Sequence, residues 1–143
     1  MSQIKTSEDI KKLGTILTVW AHPDDESFLA AGIIASAISN GQKVACITAT
    51  KGEEGVQDEK RWPHKHLGEI RKSELMEALK IIVVANHHWL DYHDGECSNA
   101  NVHKADSKIV EYIKCYNPNT IVTYAPYVWT GHHDTQTVSR WCY

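Results

Sequence analysis

The segment Thr15–Glu26, TILTVWAHPDDE, constrains this chain more than any other part of it. Thr15–Ala21 is apolar and β-rich, bounded by Gly14 and His22-Pro23, which reads as a strand. A proline disfavours the helical region for the residue before it, so His22 is expected to stay extended at the strand's last position. Pro23 suits a first helical turn, and Asp24, Asp25 and Glu26 place negative charge where a helix N-terminus welcomes it. The helix is expected to continue through the alanine-rich run Phe28–Ile38 and to close at Asn40-Gly41. A helix so nearly all apolar is expected to be largely buried.

The rest of the chain repeats the alternation. Lys43–Thr50 reads as a second strand and Lys51–His66, polar with Gly52, Gly55 and Pro63, as a long loop. Leu67–Val83 has a helical pattern (Ile70, Leu75, Ala78, Leu79), although its end, Ile81–Val84, also suits a strand. His88–Tyr92 is a short third strand. Lys104–Cys115 is a helix with Ile109, Val110 and Ile113 on its apolar side, stopped by Asn117-Pro118-Asn119. Thr120–Ala125 is the next strand, followed by a loop over Pro126–His133 and the start of another helix. Alternating strands and helices predict a Rossmann-like three-layer α/β/α fold with a mainly parallel sheet, strand order 3-2-1-4, and one domain over residues 1–143.

Composition removes several function classes. Fifteen Lys and Arg against eighteen Asp and Glu give a net charge of −3, no footprint for nucleic acid or an anionic membrane. The longest apolar run is Phe28–Ile38, shorter than the roughly 20 residues that span a bilayer. The first residues, MSQIKTSEDIKKL, contain no apolar signal core, so a cytoplasmic location is expected. Four cysteines without a C-x-x-C pair read as free thiols in a reducing compartment.

In the order 3-2-1-4 the first and fourth strands are neighbours, and ligands bind in the crevice at their carboxyl ends. That brings Ala21-His22-Pro23-Asp24-Asp25-Glu26 together with Gly131-His132-His133-Asp134 from about 110 residues away. Each cluster alone reads as helix caps or solvated loop. Jointly placed, they read as a metal or acid–base site. His22 and Asp25 offer an imidazole and a carboxylate, both good zinc ligands. Asp24 is placed to take a proton from a metal-bound water, and an imidazolium opposite can stabilise an oxyanion. Such an outfit hydrolyses amides or esters.

At these residues the chain resembles the LmbE/PIG-L family of zinc-dependent N-acetylglucosaminyl deacetylases. The matching segments are AHPDDESFLAAG (Ala21–Gly32), TKGEEG (Thr50–Gly55), LGEIRKSELMEAL (Leu67–Leu79), Asp94-Gly95 and GHHDTQTVSRW (Gly131–Trp141). The resemblance implies zinc, or another divalent metal, on His22 and Asp25, with Asp24 as general base. It implies His132 as the oxyanion-stabilising histidine and Asp134 as the acid that orients its neighbours. Arg71, Asp94 and Glu53 would contact the substrate, an N-acetylated sugar or similar small amide. The family's second motif reads His-Pro-Asp-His, and its last histidine completes the metal site. Here it reads His132-His133-Asp134-Thr135, so the third ligand position is threonine, and His133 is the candidate substitute. Family members are also usually longer, so the chain is expected to be truncated at its C-terminus. A homo-oligomer would then cover an exposed surface containing Trp20, Trp129 and Trp141.

Two other readings stand beside the hydrolase. A degenerate relative that lost its metal at Thr135 would act as a binding or interaction module. A nucleotide-binding Rossmann domain would need a glycine-rich first turn, whereas the carboxylates of His-Pro-Asp-Asp-Glu repel phosphate. His87, His88 and His93 are expected to be surface or packing residues, and Tyr124 a core residue at a strand end.

Overall fold

The structure is a computed structural model. It describes residues 3–55, 58, 60, 63–125 and 131–143, with His64 described by its backbone alone. Four strands form one parallel sheet in the order β3-β2-β1-β4. They are β1 (Ile16–Trp20), β2 (Val44–Thr48), β3 (Asn86–Trp89) and β4 (Thr120–Val122). The helices are α1 (Ser7–Lys11), α2 (Asp25–Leu29), α3 (Ala31–Ser39), α4 (His64–Ile81), α5 (Val102–Tyr116) and α6 (His133–Trp141). They cover both sides of the sheet, as the alternating pattern requires. No helix among the described residues is long and apolar enough to cross a membrane.

Every residue of β1 and β2 is buried. Thr18 on β1 donates its hydroxyl to Cys46 Sγ on β2 at 3.0 Å. β4 is only three residues long, yet Thr123 prolongs its hold on β1 by donating its hydroxyl to the Val19 carbonyl at 2.8 Å. In register, Ile16 lies opposite both Val44 and Thr120, so the carboxyl ends of β1, β2 and β4 open toward one crevice.

Several elements differ from expectation. The helix predicted through Phe28–Ile38 breaks at Ala30, whose φ of −132° and ψ of 2° lie outside the helical region. It is also far from buried: Phe28 and Leu29 are 87% and 52% exposed, and α3 buries only Ile34 and Ala37. Hydrophobicity alone overstated the burial, because only one face of so short a helix reaches the sheet. The long loop ends earlier than expected, with α4 starting at His64, and β3 lies two residues earlier. The ambiguous Ile81–Val84 resolves as a helix end: Val83 turns left-handed at φ 61°, and Val84 enters the core. Trp20 and Trp141 are buried within the chain, at 2% and 7% exposure, so they offer no apolar surface to a second copy. Trp129 lies outside the described residues.

Candidate active site

The chain leaves β1 at Trp20 and turns through His22-Pro23-Asp24 into α2. Asp24, the N-cap, is left-handed (φ 94°, ψ −26°) and makes no capping bond with its side chain. An L-residue held there carries roughly 1–2 kcal/mol of strain. Arg71 holds the turn from α4. Its Nη2 donates to the Pro23 carbonyl at 2.7 Å and to Asp24 Oδ2 at 2.9 Å, while Nη1 donates to the Gly52 carbonyl at 3.2 Å. The Asp24 side chain is nevertheless 71% exposed, so its carboxylate faces solvent.

Asp25 points back toward the strand. Its Oδ2 accepts the His22 N–H at 2.9 Å and also the Tyr124 hydroxyl. Burial raises its pKa above the ordinary carboxylate value in spite of these donors. Glu26 is fully buried; Ser27 donates to its Oε1 at 3.0 Å, and Oε2 has no partner among the described residues. With Asp24, Arg71 and Glu74 it lines a cleft of about 150 Å³.

The second motif arrives across the β1–β4 junction. His132 caps α6, its Nδ1 accepting the Asp134 N–H at 3.3 Å. Asp134 is fully buried and accepts the Gly95 and Cys97 N–H groups at 2.7 and 3.1 Å. The His22 and His132 rings meet edge to face with centroids 4.6 Å apart. His22 is ringed by carboxylates: Nε2 is 3.0 Å from Asp94 Oδ1 and 3.5 Å from Asp134 Oδ2, and Nδ1 is 3.7 Å from Asp25 Oδ2. Burial by itself would lower the pKa of His22, but Asp134 and Asp94 outweigh it and push it up to about 9. Burial likewise opposes ionisation of Asp94, yet His22 brings it down to about 2, and Asp134 is lowered by His22 and its two N–H donors.

The donor set fits a divalent metal. His22, His132 and Asp134 each offer a ligand atom, all within 4.8 Å of one another; the expected ligand Asp25 is not in this group, and its Oδ2 lies 3.7 Å from His22 Nδ1. His22 Nε2 and Asp94 Oδ1 are buried and close, yet make no aligned hydrogen bond, leaving polar atoms that an ion or a shifted proton would satisfy. Imidazole and carboxylate are the ligands zinc and similar ions use.

The remaining expected residues fall in varied places. Thr135 is buried on α6, and its hydroxyl donates to the His132 carbonyl at 2.8 Å. His133 is exposed at the first position of α6, outside the His22–His132–Asp134 cluster. Glu53 folds back to accept the Lys51 N–H at 3.1 Å. Asp94, only 5% exposed, accepts the Glu54 N–H at 3.1 Å, which ties the TKGEEG loop to the floor of the site. His87 bonds Thr48 at 2.9 Å, and His88 stacks on Tyr112 with centroids 4.4 Å apart, so both serve packing. Tyr124, expected in the core, also reaches the site with its hydroxyl. No local signal marks that, because its partner lies 99 residues away.

The PIG-L family, described as GlcNAc-PI de-N-acetylase, matches residues 17–142. The chain belongs to the PIG-L family. It is 35% identical over 141 residues to a 1D-myo-inositol 2-acetamido-2-deoxy-alpha-D-glucopyranoside deacetylase from Thermomonospora curvata, covering 83% of this chain and 48% of that protein. The same named enzyme from Mycobacteroides abscessus is 31% identical, over 83% of this chain and 50% of that protein. The chain therefore spans about half the length of these curated relatives. In fold it is similar to the N,N'-diacetylchitobiose deacetylase of Pyrococcus horikoshii, with a TM-score of 0.83 at 22% identity, over 93% of this chain and 49% of that one. The three relatives named here are deacetylases.

Proposed function

We propose that this PIG-L chain is a metal-dependent deacetylase that hydrolyses the N-acetyl amide of an amino sugar or a similar small N-acyl compound. The observation that carries this reading is the convergence of His22, Asp24 and Asp25 with His132 and Asp134 across the β1–β4 junction, the two imidazoles 4.6 Å apart. His22 and Asp25 would hold the metal. Nδ1 of His22 faces Asp25 Oδ2 at 3.7 Å, and Nε2 faces Asp94 and Asp134. A bound divalent ion would supply an acidified water and polarise the amide carbonyl.

The chain's own residues do the rest. Asp24, exposed and clamped by Arg71, takes the proton of the attacking water and returns it to the departing amine. His132 stands opposite to stabilise the oxyanion, its Nδ1 oriented by the Asp134 N–H. Arg71, Asp94 and Glu53 frame the substrate side; Arg71 and Asp94 also brace Asp24 and His22. N-acetylated amino sugars are the substrate class because the matched relatives' names specify acetamido sugars. The reading takes residues 1–143 as one catalytic domain working in the cytoplasm, alone or as a homo-oligomer.

Thr135 favours one second reading, a binding module without turnover, because its hydroxyl is committed to the His132 carbonyl in place of a third ligand. One experiment separates the two. Amine release from N-acetylglucosaminyl-inositol and from N-acetylglucosamine is followed for the zinc-supplemented wild type and for Asp24→Asn. Turnover that falls at least about 100-fold in Asp24→Asn, with metal content unchanged, is the expected result for a general base. Sugar binding without amine release would establish the module, and equal turnover in both proteins would remove Asp24 from the mechanism.

A further inference from the structure

We propose that Tyr124 is a positioning residue for the metal: its hydroxyl, oriented by the Ala21 N–H, locks the Asp25 carboxylate as a ligand. This rests on the reading of Asp25 as a ligand given above. Tyr124 follows β4 by two residues and is 6% exposed. Three contacts fix it. Its ring packs edge-on against Trp20 with centroids 5.3 Å apart, its carbonyl accepts the Ser139 hydroxyl at 3.1 Å, and its own hydroxyl accepts the Ala21 N–H at 2.9 Å. A phenol has one proton to donate. With the Ala21 N–H on its lone pair, that proton points to Asp25 Oδ2.

Asp25 needs such a brace. It begins a helix of only five residues, entered through the left-handed Asp24. Two donors, the His22 N–H and the Tyr124 hydroxyl, converge on Oδ2 and prevent the carboxylate from rotating. Among the described residues Oδ1 has no hydrogen bond, so it is available to an ion. Because position 135 brings no imidazole, affinity depends on two side chains, and the orientation of each matters more. Tyr124 also joins the two halves of the site, since β4 holds it and β1 with its following turn receives it.

The test is zinc affinity, measured by competition with a chromophoric chelator, together with the visible absorption of the cobalt-loaded protein. Wild type, Tyr124→Phe, Asp25→Asn and Thr123→Val are compared. Thr123→Val removes a strand-end hydrogen bond to Val19 with no link to Asp25. Losing an outer partner of a metal ligand weakens binding roughly 10–100-fold. Tyr124→Phe is therefore expected to lose that much zinc affinity and to change the cobalt spectrum, whereas Thr123→Val changes thermal stability alone. Wild-type affinity in Tyr124→Phe alongside a loss in Asp25→Asn overturns the inference and leaves the metal reading standing. Undiminished zinc binding in Asp25→Asn, or none in wild type, overturns both. If Tyr124→Phe does not fold, zinc titration of the wild type decides the matter: the near-UV tyrosine absorption is expected to shift with saturation, and a flat difference spectrum refutes the contact.

Discussion

Gly52 is where the TKGEEG loop, the α4 arginine and the proposed base meet, and a single methyl group there tests whether Arg71 holds the site. Gly52 is left-handed (φ +66°), and a Cβ built on it would lie 2.2 Å from Arg71 Nη1 and 2.7 Å from Cζ. Gly52→Ala therefore incurs two separate costs. The left-handed alanine costs about 1 kcal/mol. Displacing the guanidinium removes its bonds to the Pro23 and Gly52 carbonyls, roughly 1 kcal/mol each, and an Asp24 pair that contributes less because Asp24 is largely exposed. The expected total is about 3 kcal/mol, or about 9 °C in melting temperature for a chain of this size.

Gly41 provides the control. It is also left-handed (φ +79°), but nothing lies within 4 Å of its added Cβ, so Gly41→Ala is expected to cost only about 1 kcal/mol. Calorimetry of both variants, repeated in an Arg71→Ala background, isolates the arginine: there Gly52→Ala is expected to shrink to the Gly41→Ala value. Equal destabilisation by the two glycine substitutions in the wild-type background would refute the clamp.

Other consequences can be checked more briefly. Thr135→His is expected to raise zinc affinity at least about 10-fold by supplying a third ligand, read by chelator competition; an unchanged value means position 135 is not the defect. Burial, with a smaller contribution from His88, lowers the His87 pKa to about 4, so the fold holds this ring neutral. The unfolded chain takes up that proton first as pH falls below about 6.5, so stability drops by up to about 3 kcal/mol between pH 6.5 and 4 and levels off below, a slope that denaturant titrations of His87→Gln should lack. Burial pushes the Cys46 and Cys142 thiols up to about 12 and 11 and raises Cys97 as well, while Cys115 is exposed. A disulfide reagent at pH 8 is thus expected to give one fast equivalent, absent in Cys115→Ser; fast labelling in that variant would mean that a buried thiol opens readily. Val83→Gly is expected to stabilise by about 1 kcal/mol, because a β-branched residue is held at φ 61° on an exposed turn, and a lower melting temperature would count against that strain.

The sheet was legible because its physics is periodic. Two-faced burial leaves an unbroken apolar run at Ile16–Trp20 and Val44–Thr48, and Pro23 together with Asn117 marks where chain elements change. Burial of the helices was not legible in the same way. Phe28 and Leu29 read as core by hydrophobicity, and their exposure follows from the break at Ala30, which nothing in the alanine-rich sequence announces. The end of α4 was ambiguous for a related reason: Ile81–Val84 suits either structure until a left-handed valine, a conformation that propensity disfavours, decides it.

In the candidate site, the residues that converge were legible and their supporting partners were not. The residue types at His22, Asp24, Asp25, His132 and Asp134 announce proton transfer and metal binding, and the strand order brings them together. What orients them comes from partners with no pattern of their own: Tyr124 on Asp25, Arg71 on Asp24, and the Gly95 and Cys97 backbone N–H groups on Asp134. Backbone donors are invisible to residue type, and a tyrosine at a strand end resembles any core aromatic. This asymmetry bears on Thr135. Threonine at position 135 is conspicuous in the sequence, but whether the proposed metal site tolerates it depends on how firmly the two proposed ligands are held. The structure holds both: His22 between Asp94, Asp134 and the His132 ring, and Asp25 between the His22 N–H and Tyr124.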